Sequence, residues 1–393
     1  MNLKKYILTY RKTLILLALI ALIVSCVEEI PIESDGFEKA IVIEGVITNE
    51  IKQHQIKLSQ TFSIETADPN PLSGAVVKVS GNNEYIFEET EPGIYISRES
   101  FAAQPGINYQ LYVSANGEEY KSELLQLPGT SSIGNLAANK IDYRGENGVA
   151  ITLNNQTSIG AANYYRYEFI ETFKFNSNYF KTNDIIIEDG VALEVPKLKE
   201  EFTCYRTEKS QEVILATTNS LSDDSVNNLL ITFINSNDPK LSLRYSILVK
   251  QYVISSAAYN YYEIMKELSG SDNLFSQSQP GFFSGNIMNI NDSNEKIIGF
   301  FEVSSVSTKR TYFNYEDFYD PENIRPRFVP FTACEVTFPS LDLLIEEIKN
   351  DRVRWFKSPL IPNKPGGSYY VVPKRCVDCT VFGTNEKPEF WVD

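Results

Sequence analysis

Histidine is almost missing from this chain, and the shortage removes several kinds of chemistry at once. With only His54, between Gln53 and Gln55, neither a Ser-His-Asp triad nor a multi-histidine metal centre can be assembled. The residue adjoins Gln55-Ile56-Lys57-Leu58-Ser59-Gln60-Thr61-Phe62, which alternates with period two, so His54 is expected on a half-exposed surface strand. G-x-S-x-G, the P-loop, the dinucleotide fingerprint and H-E-x-x-H are absent too. Basic charge is scarce: 36 Lys+Arg stand against 51 Asp+Glu, a net charge of −15. Such a body repels nucleic-acid phosphates, whose binding depends on Lys and Arg, so no nucleic-acid partner is expected. Thr13 to Val24 is nearly all apolar, yet at about 12 residues it falls short of the roughly 20 that span a bilayer as a helix.

That short apolar run has a different meaning in its setting. Lys4, Lys5, Arg11 and Lys12 precede it, and Ser25-Cys26 follows it. A charged segment, an apolar segment and a small-residue cleavage site make a secretory signal. Ile23-Val24-Ser25-Cys26 resembles the bacterial lipobox, which implies that residues 1–25 are removed, that Cys26 is acylated and that it anchors the chain in a membrane. Two or three acyl chains hold firmly where one holds marginally. Cleavage would take away four basic residues and no acidic one, moving the net charge to −19. Residues 26–38 then form an acidic tether; Val27-Glu28-Glu29, Glu33 and Asp35 resemble the surface-export signal of Bacteroidota lipoproteins.

With 23 Tyr, 23 Phe and 42% hydrophobic residues, the chain is well supplied for cores, and its Tyr, Phe, Ile, Val and Thr suit strands. A mainly β fold is expected. Residues 39–128 hold short strand-like runs, from Ala40–Ile47 to the vicinity of Tyr120, broken by Gly, Pro, Asn and Asp, which is the pattern of a small β-sandwich. Pro71–Val79 and Pro92-Gly93-Ile94-Tyr95 resemble carboxypeptidase-regulatory-like and immunoglobulin-like modules. Residues 129–393 are expected to form a larger β-sandwich-like domain, with strands near 149–153, 164–175, 213–216, 229–234, 243–254 and 297–303. Two stretches in it read as helices. Ser256–Leu268 places Ala257, Tyr261, Ile264, Met265 and Leu268 on one face, with Ser256 as the cap, and Ser340 caps a second helix over 341–349.

Cys204, Cys334, Cys376 and Cys379 are an even set in an exported chain, which reads as disulfides with three possible connectivities. Cys376-Val377-Asp378-Cys379 lies between strand-like and turn-like residues, unlike a thioredoxin-type pair at a helix start. A four-cysteine zinc site ordinarily shows two close pairs. Two structural bridges are therefore expected, each member of the close pair reaching back to Cys204 or Cys334. No carboxylate pair stands out as a glycosidase acid and base. The acidic loops Asn289–Glu295 and Glu316–Asp320 lack EF-hand spacing and read as solvated. No cofactor, metal site or enzymatic activity is expected. Phe282, Phe283, Tyr312 and Phe313 are candidates for ligand or partner contact, against the ordinary tendency of large aromatics to be buried.

The lipobox with Ile41-Val42-Ile43-Glu44-Gly45, the segment Tyr245–Tyr252, the helix around Tyr259–Met265, the Gly285-Asn286-Ile287 turn and the Cys376–Cys379 ending through Pro388-Glu389-Phe390-Trp391 together resemble domain-of-unknown-function 4249 (DUF4249), a family of Bacteroidota outer-membrane lipoproteins. The resemblance implies a lipid-anchored outer-membrane protein, facing the cell exterior or the periplasm. The partner it implies is a TonB-dependent β-barrel transporter, which the chain would serve as accessory or ligand-capture protein. An independent surface adhesion or carbohydrate-binding protein is the alternative, and an unrecognised hydrolase a more distant one.

Overall fold

The computed structural model describes residues 40–61, 70–156, 163–219, 225–270, 285–359 and 368–393. Cys26, Phe282 and Phe283, like the proposed signal and tether, lie outside the described residues. The fold is mainly β, as the composition predicts.

Period-two burial dictates the first part. Its strands are β1 (Ile41–Thr48), β2 (Gln55–Gln60), β3 (Asn70–Pro71), β4 (Val76–Ser80), β5 (Glu84–Glu91), β6 (Ile94–Ser97), β7 (Asn108–Ala115), β8 (Glu118–Ser122) and β9 (Leu125–Gln126). In β2, Ile56 and Leu58 are wholly buried while Gln55 and Lys57 are exposed, the alternation of a half-buried strand. The sheet runs β1-β2-β6-β5-β4-β7-β8 and curls around a core that includes Ile43, Val79, Tyr95, Tyr109 and Leu111.

The second part contains β10 (Ile133–Tyr143), β11 (Glu146–Asn155), β12 (Tyr164–Asn176), β13 (Asn183–Glu188), β14 (Val191–Pro196), β15 (Thr203–Lys209), β16 (Ile214–Thr217), β17 (Leu229–Asn235) and β18 (Arg244–Val253). They are followed by helix α1 (Ser256–Gly270), β19 (Ile287–Asn289), β20 (Ile297–Asn314), helix α2 (Leu341–Lys349), β21 (Val353–Lys357) and β22 (Tyr370–Pro373). The layer β15-β12-β18-β20, with β16 also on β12, faces the layer β10-β11-β17. Between them lies a second core of Val149, Ile151, Tyr165, Phe173, Tyr245 and Ile247. A smaller group of elements, the β13–β14 hairpin, α2 and the β21–β22 pair, packs around Leu344 and Val371.

The first core also draws on the later chain. β20 is 18 residues long. Its half Ile297–Ser304 pairs in parallel with β1, and its half Ser305–Asn314 pairs antiparallel with β18. β19 joins the far edge of the first sheet on β8. Next to it, Asn286 imitates a strand partner: its Nδ2 donates to Phe301 O at 2.8 Å and its Oδ1 accepts from Phe301 N at 2.9 Å. This approach requires glycine, since a Cβ on Gly285 would lie 1.6 Å from Gly299 O.

Both helices form where their periodicity places them. Ser340 caps α2, accepting from Leu343 N at 3.5 Å. For α1 two details differ. The cap is Ser255, whose Oγ accepts from Ala258 N at 3.1 Å, because the chain leaves β18 one residue earlier than the apolar spacing suggests. The inward face is Ala258, Tyr261, Tyr262 and Met265, whereas Ala257 and Ile264 are exposed. The helix is rotated because Tyr262 turns toward a buried ion pair.

Candidate functional site

The four cysteines among the described residues are committed to structure. Cys204 is bonded to Cys379 and Cys334 to Cys376. The close pair is thus divided between two partners, in short 3-10 turns at 374–376 and 379–381. His54 is a correction: it is not a surface strand residue but is 1% exposed just before β2, with Nε2 2.9 Å from Phe101 O. Phe101 arrives from 47 residues further on, so the local alternation gives no hint of it. Burial lowers the His54 pKa to about 4.

The acidic loop 289–295 is solvated over Ile290 to Asn294, as expected, while its two ends, Asn289 and Glu295, turn inward. Asn289 Nδ2 donates to Glu118 at 3.0 Å and to Glu295, and Tyr120 OH donates to Glu295 at 3.0 Å. Among the described residues no group of three or more His, Cys, Asp or Glu could hold a metal ion.

Of the aromatic candidates, Phe313 is buried in the second core, stacked on Tyr245 with centroids 4.9 Å apart. Tyr312 is half-buried beneath the C-terminal tail and donates to Phe390 O at 2.6 Å. Neither lines either of the two clefts described next.

Two clefts remain. The first, about 300 Å³, covers the meeting point of β1, β12, β20 and α1 and is lined in part by Glu44, Glu168, Tyr261, Met265 and Phe300. Beneath it Arg166, 6% exposed, pairs with Glu302, 1% exposed, at 3.2 Å and also with the more exposed Glu168. Tyr252 and Tyr262 lie against the guanidinium at 4.2 and 4.9 Å. Burial opposes the Arg166 charge, but Glu302, Tyr262 and Glu168 outweigh it and keep the guanidinium protonated well above its usual range. Burial and the Glu302 carboxylate together push the Tyr262 hydroxyl far up. Arg166 offsets the buried Glu302 and leaves the more exposed Glu168 to solvent, and the position of the pair suits joining elements.

The second cleft is an open groove of about 1050 Å³ at one side of the second sandwich. One wall is the strand edge Arg206–Leu215 from β15 into β16; the other is Leu229–Phe233 of β17. At the base, Glu171 is 5% exposed and accepts from Tyr245 OH at 2.6 Å and from Lys240. Lys240 also pairs with Glu208 at 3.0 Å, and Glu208 with Arg206 at 2.7 Å. The two cations and two carboxylates of the base therefore balance. Burial works against the Lys240 charge, and the carboxylates more than offset it, raising its pKa. Tyr143 and Arg144 stand at the tip of the β10–β11 hairpin, where Arg144 and Gly145 both have positive φ, 53° and 85°, as a two-residue type I′ turn requires. The Tyr143 ring packs on Phe233 at 5.3 Å.

Among the described residues β17 pairs with β11 alone. Its sequence Leu-Leu-Ile-Thr-Phe-Ile-Asn has no charge and no proline, two devices that blunt an edge, though a register shift at Ile231 supplies a third, a bulge. That signal is visible in the amino acids, but that this strand stands last in its sheet is not.

The structure thus defines a class: a mainly β, disulfide-bonded protein of two joined β-sandwich units with an open strand-lined groove. A family model described as domain of unknown function (DUF4249) matches residues 27–310, and the chain belongs to that family. The match ends before the last three cysteines, Cys334, Cys376 and Cys379. Neither a curated protein nor a solved structure matches the chain. Among the described residues no helix is long and apolar enough to cross a membrane.

Proposed function

We propose that the chain is an exported lipoprotein, held on the outer membrane through acylated Cys26, that binds a partner or ligand non-catalytically as an accessory to a TonB-dependent transporter. The open groove of about 1050 Å³ carries the binding part of this reading: it is as large as the upper end of the range of ligand-binding clefts. Two disulfides support export, since such bonds persist in oxidising compartments. Engagement of four cysteines in disulfides, and of the one histidine with a backbone carbonyl, supports a role without nucleophilic chemistry.

The test is crosslinking of the tagged full chain in intact cells, detergent extraction, purification and mass spectrometry. A co-purifying β-barrel transporter is the expected result. Recovery of surface polysaccharide with no barrel would favour an independent adhesion or carbohydrate-binding protein. Replacing Cys26→Ala should move the chain out of the membrane fraction; retention there would remove the lipid anchor from the proposal.

A further inference from the structure

We propose that a smaller cavity of about 270 Å³ at one end of the second sandwich binds the oxyanion group of a small ligand, a phosphate, sulfate or carboxylate, on Arg327. The site shares no lining residue with either cleft described above. It goes beyond the accessory reading and does not depend on it.

Strand register assembles the cavity. Asn176 at the end of β12 pairs with Thr203 at the start of β15, and Lys174 pairs with Arg244 at the start of β18. The segments flanking these strands therefore meet at one end of the sheet, where Arg325 and Arg327, from the chain after β20, complete the wall. Each segment is pinned. Ser177 N donates to Phe202 O at 2.8 Å, Tyr315 N to Leu243 O at 2.7 Å, and Arg325 Nη1 to Ser242 O at 3.3 Å. Asn178 Nδ2 donates to Val329 O at 2.9 Å and to Cys334 Sγ at 3.1 Å, which ties the wall to the Cys334–Cys376 bridge. A wall fixed in this way loses little freedom when a ligand enters.

Charge selects the occupant. In a chain of net charge −15, two arginines and no carboxylate line this cavity. Arg325 is answered by Glu316. Arg327 makes no ion pair among the described residues, and its Nε is buried without a hydrogen-bond partner. The Phe331 ring, 4.7 Å from the guanidinium, attracts the cation without cancelling its charge. Burial, and after it the neighbouring Arg325, hold the Arg327 pKa below its usual range. One positive charge is thus left over, on a planar fork that has donors and no acceptor and that matches the oxygens of an oxyanion. Asn176 Oδ1 accepts from Thr203 Oγ1 at 3.0 Å, which leaves its Nδ2 as a further donor. Water satisfies a nitrogen but not the charge, and a neutral sugar does no better. The volume falls just below the roughly 300 Å³ at which pockets for drug-sized ligands begin, which suits a small anion.

The full chain is titrated with phosphate, sulfate and acetate at an ionic strength held constant with chloride, and binding is followed by calorimetry and by the urea midpoint. At least one oxyanion should bind, with a Kd on the order of 1 mM, and should raise the midpoint above its value in chloride. Arg327→Gln should weaken binding at least about tenfold, whereas Arg327→Lys, which keeps the charge and loses the fork, should cost about threefold. Asn176→Asp places a carboxylate in the wall, still accepts from Thr203, and should also weaken binding about tenfold; it decides the matter if Arg327→Gln is less stable than the parent in chloride. A soluble short-chain phosphatidylglycerol is the last arm: tighter binding than inorganic phosphate assigns the group to a lipid headgroup, and weaker binding assigns it to a free anion. The inference is overturned if no oxyanion acts beyond chloride, or if full affinity survives in a folded Arg327→Gln or in Asn176→Asp.

Discussion

At His54 the imidazole Nε2 lies 2.9 Å from Phe101 O and Nδ1 is buried with no hydrogen-bond partner. The carbonyl can only accept, so Nε2 carries the proton of the neutral ring. A second proton would have to sit on Nδ1, beside the Phe101 ring at 4.6 Å, away from water. Desolvation by burial is the largest cause of the low pKa, about 4 against 6.5 for the free side chain, and the Phe101 carbonyl only partly opposes it. The unfolded chain therefore takes up a proton at a pH where the folded one does not. Stability from this residue is complete above pH 6.5 and declines as pH falls toward 4, by roughly 3 kcal/mol in all. His54→Gln should lose that part of the acid sensitivity. Urea midpoints at pH 7.5 and 4.5 decide it, and an equal acid-induced drop in both proteins would refute the assignment. The sequence shows His54 beside an alternating strand and nothing more, because its burial is made by Phe101 and by Tyr85 stacked on that ring.

The C-terminal segment is held to β15 by several contacts of different kinds. Cys379 is bonded to Cys204, Tyr205 and Thr384 exchange backbone hydrogen bonds of 2.7 and 2.9 Å, and Trp391, 4% exposed, packs edge-on against Tyr205 at 5.1 Å. A bond across 175 residues of separation restricts the unfolded chain strongly, and losing it should cost about 2–5 kcal/mol. Cys204→Ser with Cys379→Ser should thus free the tail before the sandwich melts. In a Trp355→Phe background, Trp391 alone reports, and its emission should shift to the red at lower urea than in the parent. Cys334→Ser with Cys376→Ser is the control, since that bond lies among Val329, Val372 and Val377 and should leave Trp391 in place. Coincident Trp391 transitions in the parent and the first variant would contradict this. At this scale much was legible: four cysteines in an export context indicate bridges, and the division of the close pair follows from their poor fit to a redox or zinc site. Which cysteine meets which depends on β15 lying beside β12, where Phe175 faces Cys204, and no local pattern carries that. The β17 edge was hidden for the same reason, since strand propensity marks Leu229–Ile234 as a strand without revealing its neighbours.

The two sandwiches share more than a linker. β20 passes from β1 to β18 without interruption, and close to that crossing Glu302 meets Arg166 from β12 while Tyr262 of α1 covers both. The apolar run Ile297–Val303 announces a strand, but its length and its membership of two neighbourhoods come from pairing with residues more than 200 positions earlier and about 50 to 70 positions earlier. A continuous strand carrying a buried ion pair should make the described parts of Ala40–Gln60 and Asn70–Asp393, which form one compact unit, unfold together. Glu302→Ala leaves the Arg166 charge buried with only the more exposed Glu168 to answer it, and should destabilise the protein by about 3–5 kcal/mol. Arg166→Met with Glu302→Leu removes both charges and should recover most of that loss. Native-state hydrogen exchange supplies the sharper measurement. In Glu302→Ala, amides of β1 and of β18 should lose protection by the same free energy, because each borders one half of the same strand. If β18 opens while β1 keeps its protection, the ion pair stabilises only the second sandwich and β20 does not couple the two.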